Sequence, residues 1–164
     1  MERLVVVGAL TFSGDFANLQ AVDSLPQFRF VNRDIRDDQF VDELLRREVL
    51  DGIVNFAAET SVDRSIHEPA AFQRTNVERV VSLLEAARRI WSGGGGVDHC
   101  FHQVYTVEVF GTGPGPGDGA PCDGTTPYFP SSPLPATKAA VDLLVMAWRN
   151  TLGLNVSISC SSNG

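Results

Sequence analysis

The sequence predicts an α/β fold, a doubly wound parallel sheet of about five strands, in one domain over residues 1–164. Three observations predict it. Short β-branched and apolar runs recur without the polar alternation of a half-exposed sheet, so each reads as a strand covered on both faces. Between them lie stretches whose apolar residues fall at helical spacing, long enough to be the crossovers that parallel strands require. Acidic caps, glycines and prolines mark the joints. A hydrophobic fraction of 43% is enough for one buried core.

The first strand is Leu4 to Gly8. The stretch behind it, G-A-L-T-F-S-G, holds Gly8 and Gly14 and reads either as a phosphate-cradling turn or as an ordinary one, because two glycines alone do not decide. Asp15 is placed to cap a helix with apolar residues at 16, 19, 22 and 25. Phe28 to Val31 is the second strand, and N-R-D-I-R-D follows it. Within that loop Asp34 is a solvated acid, a cap or a ligand contact, whereas Asp37 is the better cap. Asp37 precedes the stripe Phe40, Val41, Leu44 and Leu45, a helix ending near Leu50 and closed by Asp51-Gly52.

Gly52 to Ala58 is the third strand, and Ala57 and Ala58 are small enough to let sheet and helix pack closely. Pro69 suits the first turn of a long helix to about Ile90, with apolar residues at 72, 77, 80, 81, 84 and 87. Ser92 and four glycines make a loose linker. C-F-H-Q-V-Y, from Cys100, is a buried strand that delivers Thr106 and Glu108 to its carboxyl end, the edge at which open parallel sheets bind ligands. Seven of the nine prolines lie between Gly111 and Pro135, which excludes a helix or central strand there. A last helix opens by presenting Lys138 and runs from Thr137 to about Leu152. Val141, Leu144, Val145 and Trp148 form its apolar side, and it stops at Gly153. Leu154 to Ser159 is the final strand.

Composition removes several functions. A net charge of −7 argues against an extended nucleic-acid partner, which clustered Lys and Arg would have to hold. Cys100, Cys122 and Cys160 are odd in number and widely spaced, so neither a disulfide framework nor a zinc site is indicated. His99 and His102 flank the fourth strand without partner ligands at metal spacing, and His67 reads as a surface residue. No signal peptide and no membrane-length apolar run is seen, so the expectation is a soluble, cytoplasmic protein without a membrane partner.

Three segments carry a resemblance. N-F-A-A-E-T-S-V-D-R-S-I begins at Asn55, T-V-E-V-F-G at Thr106 and S-S-P-L-P-A-T-K at Ser131, in that order. Together they resemble the dTDP-glucose 4,6-dehydratases, NAD-dependent lyases of the epimerase/dehydratase branch of the short-chain dehydrogenases. The resemblance implies a Rossmann-like domain that binds NAD, a nucleotide-sugar substrate and a homodimer. It implies catalytic roles for Thr106, Glu108 and Lys138. For the cofactor it implies Gly8, Gly14, Asp34, Ile35, Ala57, Ala58, Thr75 and Lys138. Glu59, Thr60 and Ser61 would border nucleotide and sugar, while Asp63 and Arg64 read better as a local ion pair.

The departures from that family are specific. Val107 stands where the family has its acid Asp, Leu134 where it has the catalytic Tyr, and Thr11 where it has the middle glycine of the turn. One strand–helix unit of the family is expected to be missing between Gly14 and Phe28, the unit whose strand ends in the acid for the adenosine ribose. Losing that strand would turn the family order 3-2-1-4-5-6 into 2-1-3-4-5 if the sheet closes. The substrate lobe that follows the last strand in the family is also expected to be absent. A dehydratase with impaired catalysis follows from the resemblance. The alternatives are a noncatalytic NAD-binding remnant or interaction module and, less favoured, a short-chain reductase of another kind, which would need the same missing Tyr.

Overall fold

The computed structural model describes residues 3–11, 14–58, 62–92, 99–111 and 124–161, the side chains of Val62, Arg64, Ala71 and Thr75 excepted. Among these residues five strands form: β1 (Leu4–Gly8), β2 (Phe28–Asn32), β3 (Gly52–Asn55), β4 (Cys100–Thr106) and β5 (Val156–Ser161). All their pairings are parallel. They lie in two sheets, β2-β1 and β3-β4-β5. No strand hydrogen bonds join the pair to the triplet, so the single closed sheet of order 2-1-3-4-5 expected from the sequence does not form.

Helix α1 (Asp38–Glu48) forms where its stripe predicts, and the Asp37 carboxylate caps it by accepting from the Phe40 amide at 3.0 Å. The helix expected over 15–25 does not form. Asp15 does cap, accepting from the Ala17 amide at 2.8 Å, but only a 3₁₀ turn over Phe16–Leu19 follows. The reason lies in packing, since Phe16 and Leu25 remain about two-fifths exposed and lie outside the buried core. A stretch this short is not held helical by propensity alone.

The long helix expected from Pro69 is interrupted. Helix α2 (Val62–His67) precedes α3 (Pro69–Gln73), a π-helical turn spans Arg74–Glu78, and α4 (Arg79–Trp91) completes the run. Within the wide turn Asn76 is buried, and its amide donates to the Thr137 hydroxyl at 3.1 Å. Helix α5 (Pro133–Leu152) starts four residues earlier than the pattern indicated, with Pro133 in its first turn, where the missing N–H costs nothing. The Ser92 linker glycines and Cys122 lie outside the described residues.

The core sits over the three-stranded sheet. Phe101 from β4, Leu84 and Ala87 from α4, Val141 and Val145 from α5, and Val156 from β5 are buried together with Val41 and Leu45 of α1. No residue of β1 or β2 is fully buried.

Candidate functional site

One cleft of about 560 Å³ opens at the β1–β3 seam. Gly8, Gly14, Asp34, Ile35, Ala57 and Ala58, six of the residues expected at the cofactor, line it together with Arg33 and Arg79. Lys138 does not line it, and the side chain of Thr75 lies outside the described set. Glu59, Thr60 and Ser61 also lie outside.

Asp34 organises the cleft's charged end. Its carboxylate accepts from the Arg36 amide and from Arg36 Nε, both at 2.9 Å, and pairs with Arg79 at 3.5 Å. Burial would push its pKa up, but the Arg36 hydrogen bonds and the charges of Arg79 and Arg36 outweigh it and hold the carboxyl below its usual range. On the facing side the buried Asn55 amide donates to Gln103 at 2.9 Å, while its oxygen accepts from the Ala57 amide at 3.1 Å. That fixes the backbone where Ala57 and Ala58 turn away from β3.

The glycines serve the loop itself. A Cβ on Gly14 would stand 2.5 Å from the Leu10 Cα, so Gly14 is required by the chain folding back on itself. A Cβ on Gly8 would meet only the Phe30 ring, at an ordinary 3.4 Å. The strand–turn–helix frame expected here is not built, because the described chain between Gly8 and β2 contains no α-helix to aim its N-terminus at a pyrophosphate.

The residues expected to do chemistry lie around the carboxyl end of β4. Thr106 ends that strand and caps the 3₁₀ turn Val107–Phe110, its hydroxyl accepting from the Glu108 amide at 3.3 Å. Gly111 follows with φ 52° and with the Phe129 carbonyl where a Cβ would go, so only glycine fits. Val107 is exposed and Leu134 is 4% exposed. Lys138 is buried in the first turns of α5, and burial lowers its pKa against the opposing pull of Asp142. Among the described residues no side-chain hydrogen bond links Thr106, Glu108 and Lys138.

Asp142 and Tyr128 were missed by sequence reasoning. Asp142 is 1% exposed and lies one turn after Lys138 on α5, where burial pushes its carboxyl up to about 7. The Tyr128 hydroxyl donates to Asp142 Oδ2 at 3.3 Å, and among the described residues Oδ1 has no partner. Burial and Asp142 raise the Tyr128 phenol, and burial with Tyr128 and Cys160 raises that of Tyr105. Both rings pack with Phe110 in an aromatic cluster. The available signal was the spacing: an Asp four residues after Lys138, between apolar Val141 and Leu143, shares the lysine's face.

The family model described as GDP-mannose 4,6 dehydratase matches residues 3–164. The dTDP-glucose 4,6-dehydratase of Xanthomonas campestris is 41% identical over 165 positions, covering 98% of this chain and 46% of that one. The Streptomyces niveus enzyme is 42% identical, covering 98% and 45%. The crystal structure of the Streptomyces venezuelae dTDP-glucose 4,6-dehydratase, with NAD bound, superposes with a TM-score of 0.84 at 38% identity, over 97% of this chain and 46% of that one. The chain spans about half the length of the relatives it matches.

The Xanthomonas match also relocates the absent strand. Since 98% of 164 residues is about 161, the 165 aligned positions hold about four without a counterpart here, too few for a strand and a helix between Gly14 and Phe28. The open seam gives the same answer from the fold. In the order 3-2-1-4-5-6, a vacancy between the pair and the triplet falls at the first strand, so β1 stands in the second position. Sequence, seam and superposition agree: the chain belongs to the GDP-mannose 4,6-dehydratase family.

Proposed function

We propose that this chain is a nucleotide-binding half of the dehydratase fold that keeps an adenosine-binding end and does not by itself convert a nucleotide sugar. The observation that carries the reading is a split between two sites. Asp34, Ile35, Ala57 and Ala58 share one cleft, while the positions of the family's proton-transfer residues hold Val107 and Leu134.

The residues present fit NAD in part. Asp34, held ionised by Arg36 and Arg79, offers an acceptor at the cleft mouth, and the small Ala57 and Ala58 leave room for a flat base or ribose. The pyrophosphate end is not met, because no helix N-terminus follows Gly8 among the described residues. Gly8 also ends a strand in the second position, where the family carries its ribose acid. A hydrogen bond to such a charged acceptor is worth about 1.5 to 3 kcal/mol, roughly ten- to a hundredfold in affinity.

At the other site NAD, when bound, would supply the hydride acceptor. Thr106 could donate its hydroxyl to a sugar oxygen, and Glu108 could take a proton. Leu134 can neither accept nor donate one, and Val107 cannot act as an acid. Groups of that kind contribute about 10²- to 10⁴-fold each. Lys138, without a phenol to polarise, is balanced by Asp142 instead.

Calorimetry tests the first half, with NAD binding expected above the low-micromolar range, and tighter binding refutes it. Incubation with NAD and dTDP-glucose, followed by mass spectrometry of the keto sugar, tests the second. Neither the wild type nor the Leu134→Tyr, Val107→Asp double variant is expected to turn over, because positioning can account for about 7 to 11 kcal/mol of a barrier. Turnover by the wild type would overturn the reading.

A further inference from the structure

We propose that the loop over residues 127–132 is a proton-controlled latch, closed over α5 while the Asp142 carboxyl carries a proton and released when that proton leaves, which frees the turn that bears Glu108. The proposal goes beyond the nucleotide reading and does not depend on it. Two hydrogen bonds tie the middle of the loop to the body of the protein. The Phe129 amide donates to the Val109 carbonyl at 2.8 Å, and the Tyr128 hydroxyl donates to Asp142 Oδ2 at 3.3 Å. The first bond grips the turn Val107–Phe110 and the second grips α5, so the loop bridges the two. Pro127 and Pro130 fix their own φ angles, and the loop therefore moves as a stiff strap.

What the strap covers can open without the rest. Val109, Phe110 and Ala139 form a small core separate from that of the sheet, and Tyr105 and Tyr128 pack against it. Phe129 is 55% exposed, so the outer side of the strap buries little. Under the strap Asp142 is 1% exposed, and among the described residues its Oδ1 has no partner. A carboxylate placed there lacks most of the hydrogen bonds that would offset its loss of water, whereas the neutral acid is tolerated. Burial accordingly holds the carboxyl pKa up at about 7, against the lowering pull of the Tyr128 hydrogen bond and the Lys138 charge. Tyr105 of β4 and Cys160 of β5 act on Tyr128 rather than on Asp142. Among the described residues no charge on the other elements packed against α5 contributes, neither Glu108 of the turn, Asp63 and His67 of α2, Arg74 and Glu78 of the π-helical turn, nor Glu85 of α4. Opening the strap returns the carboxyl to water and to its ordinary range. The closed state thus binds this proton more tightly, so closure is complete below about pH 4 and is lost as pH rises through 7.

Native-state amide exchange on the whole chain tests the latch, without nucleotide and in dilute urea. The Phe129 amide reports the strap, and the Phe101 amide, which donates to the Asn155 carbonyl, reports the sheet. Between pH 5 and pH 8 exchange at Phe129 should quicken about a hundredfold beyond the base-catalysed rise that all amides share, without responding to urea, whereas exchange at Phe101 should follow urea. In Asp142→Asn, which has no proton to lose and still accepts from Tyr128, the extra rise should vanish. Should that variant not fold, the wild-type contrast between Phe129 and Phe101 decides alone. Three results overturn the proposal: no extra rise at Phe129, an extra rise that persists in Asp142→Asn, or a urea dependence at Phe129 equal to that at Phe101, which would mean that the protein opens as a whole. Because no NAD is present, none of these bears on the nucleotide reading.

Discussion

The two halves of the sheet are built to different standards. Strands β3, β4 and β5 are covered by α4 and α5 and contribute Phe101 and Val156 to the core, whereas β1 and β2 contribute no buried residue. Ionic contacts through α1 hold the smaller half. Glu48, 5% exposed, receives Arg3 at 3.1 Å and Arg29 at 2.5 Å, while Asp42 on the same helix pairs with Arg89 of α4 at 2.8 Å. Helix α1 thus links a weakly packed pair to a well-packed triplet. The lesson is that the larger half closes its core without a buried residue from β1 or β2.

The largest expected effect breaks the stronger half. Phe101→Ala removes a ring that is 0% exposed and should cost about 3 to 5 kcal/mol in urea melts. Phe30→Ala, on β2, removes a half-buried ring whose described ring neighbour is Phe16 at 5.4 Å, and should cost about 1 kcal/mol. Equal costs would mean that the halves share one core after all.

That contrast also marks what the sequence could disclose. Apolar runs at Leu4, Phe28, Gly52, Cys100 and Leu154 located all five strands, and the Asp37 stripe located α1, because strand propensity and capping are local in the chain, although β1 and β2 are not covered on both faces as their runs suggested. The failures are non-local. Phe16, Leu19, Val22 and Leu25 have helical spacing but lie outside the buried core, and Phe16 and Leu25 stay about two-fifths exposed. Gly8 and Gly14 look like half of a dinucleotide turn, and only the position of β1 in the sheet separates a second strand from a first. In the site, Asp34, Ala57 and Ala58 were found through motifs. Asp142 and Tyr128 were not, since their meeting depends on how the loop ahead of α5 packs.

The next effect sharpens the comparison through pH. Asp142 lies within the larger half, and its folded pKa, about 7, is raised from 3.8. The folded state therefore binds this proton more tightly than the unfolded one, so stability from this group is complete below about pH 4 and is lost as pH rises through 7. At about 1.4 kcal/mol per pH unit, the wild type should lose about 3 kcal/mol between pH 5 and pH 8 relative to Asp142→Asn. The Asn carbonyl can still accept from Tyr128. Parallel curves for the two proteins would show that Asp142 does not titrate inside the larger half.

A smaller effect concerns the rim that holds the weaker half. Glu48→Gln keeps the shape and one acceptor but discharges the partner of Arg3 and Arg29, which are about half exposed and can return to water. A cost of about 1 to 2 kcal/mol is expected, between the ranges for surface and buried pairs. Amide exchange should quicken in β1 and β2 and hold steady in β4. Uniform acceleration would show that the halves open together.

The smallest effect asks which half holds Asp34. Arg36 lies in the same loop and is 61% exposed, while Arg79 reaches from α4 with 12% exposure and makes the longer contact of 3.5 Å. An exposed pair is worth about 0 to 1 kcal/mol, so Arg36→Ala should change global stability by about 0.5 kcal/mol or less. The Asp34 pKa is the more sensitive reporter. Arg36 supplies the hydrogen bonds that lower it and Arg79 supplies charge from the other half, so the carboxyl should rise in the variant. Since a depressed carboxyl pKa stabilises above its unfolded value and loses that contribution as pH falls through the folded one, Arg36→Ala should narrow the acid-side loss as well. A residual depression, followed by carbonyl carbon shifts through an acid titration, would come from the residue-36 amide that the variant keeps and from Arg79, and adding Arg79→Ala separates the two. If adding Arg79→Ala left the carboxyl where Arg36→Ala had put it, Arg79 would contribute nothing to Asp34.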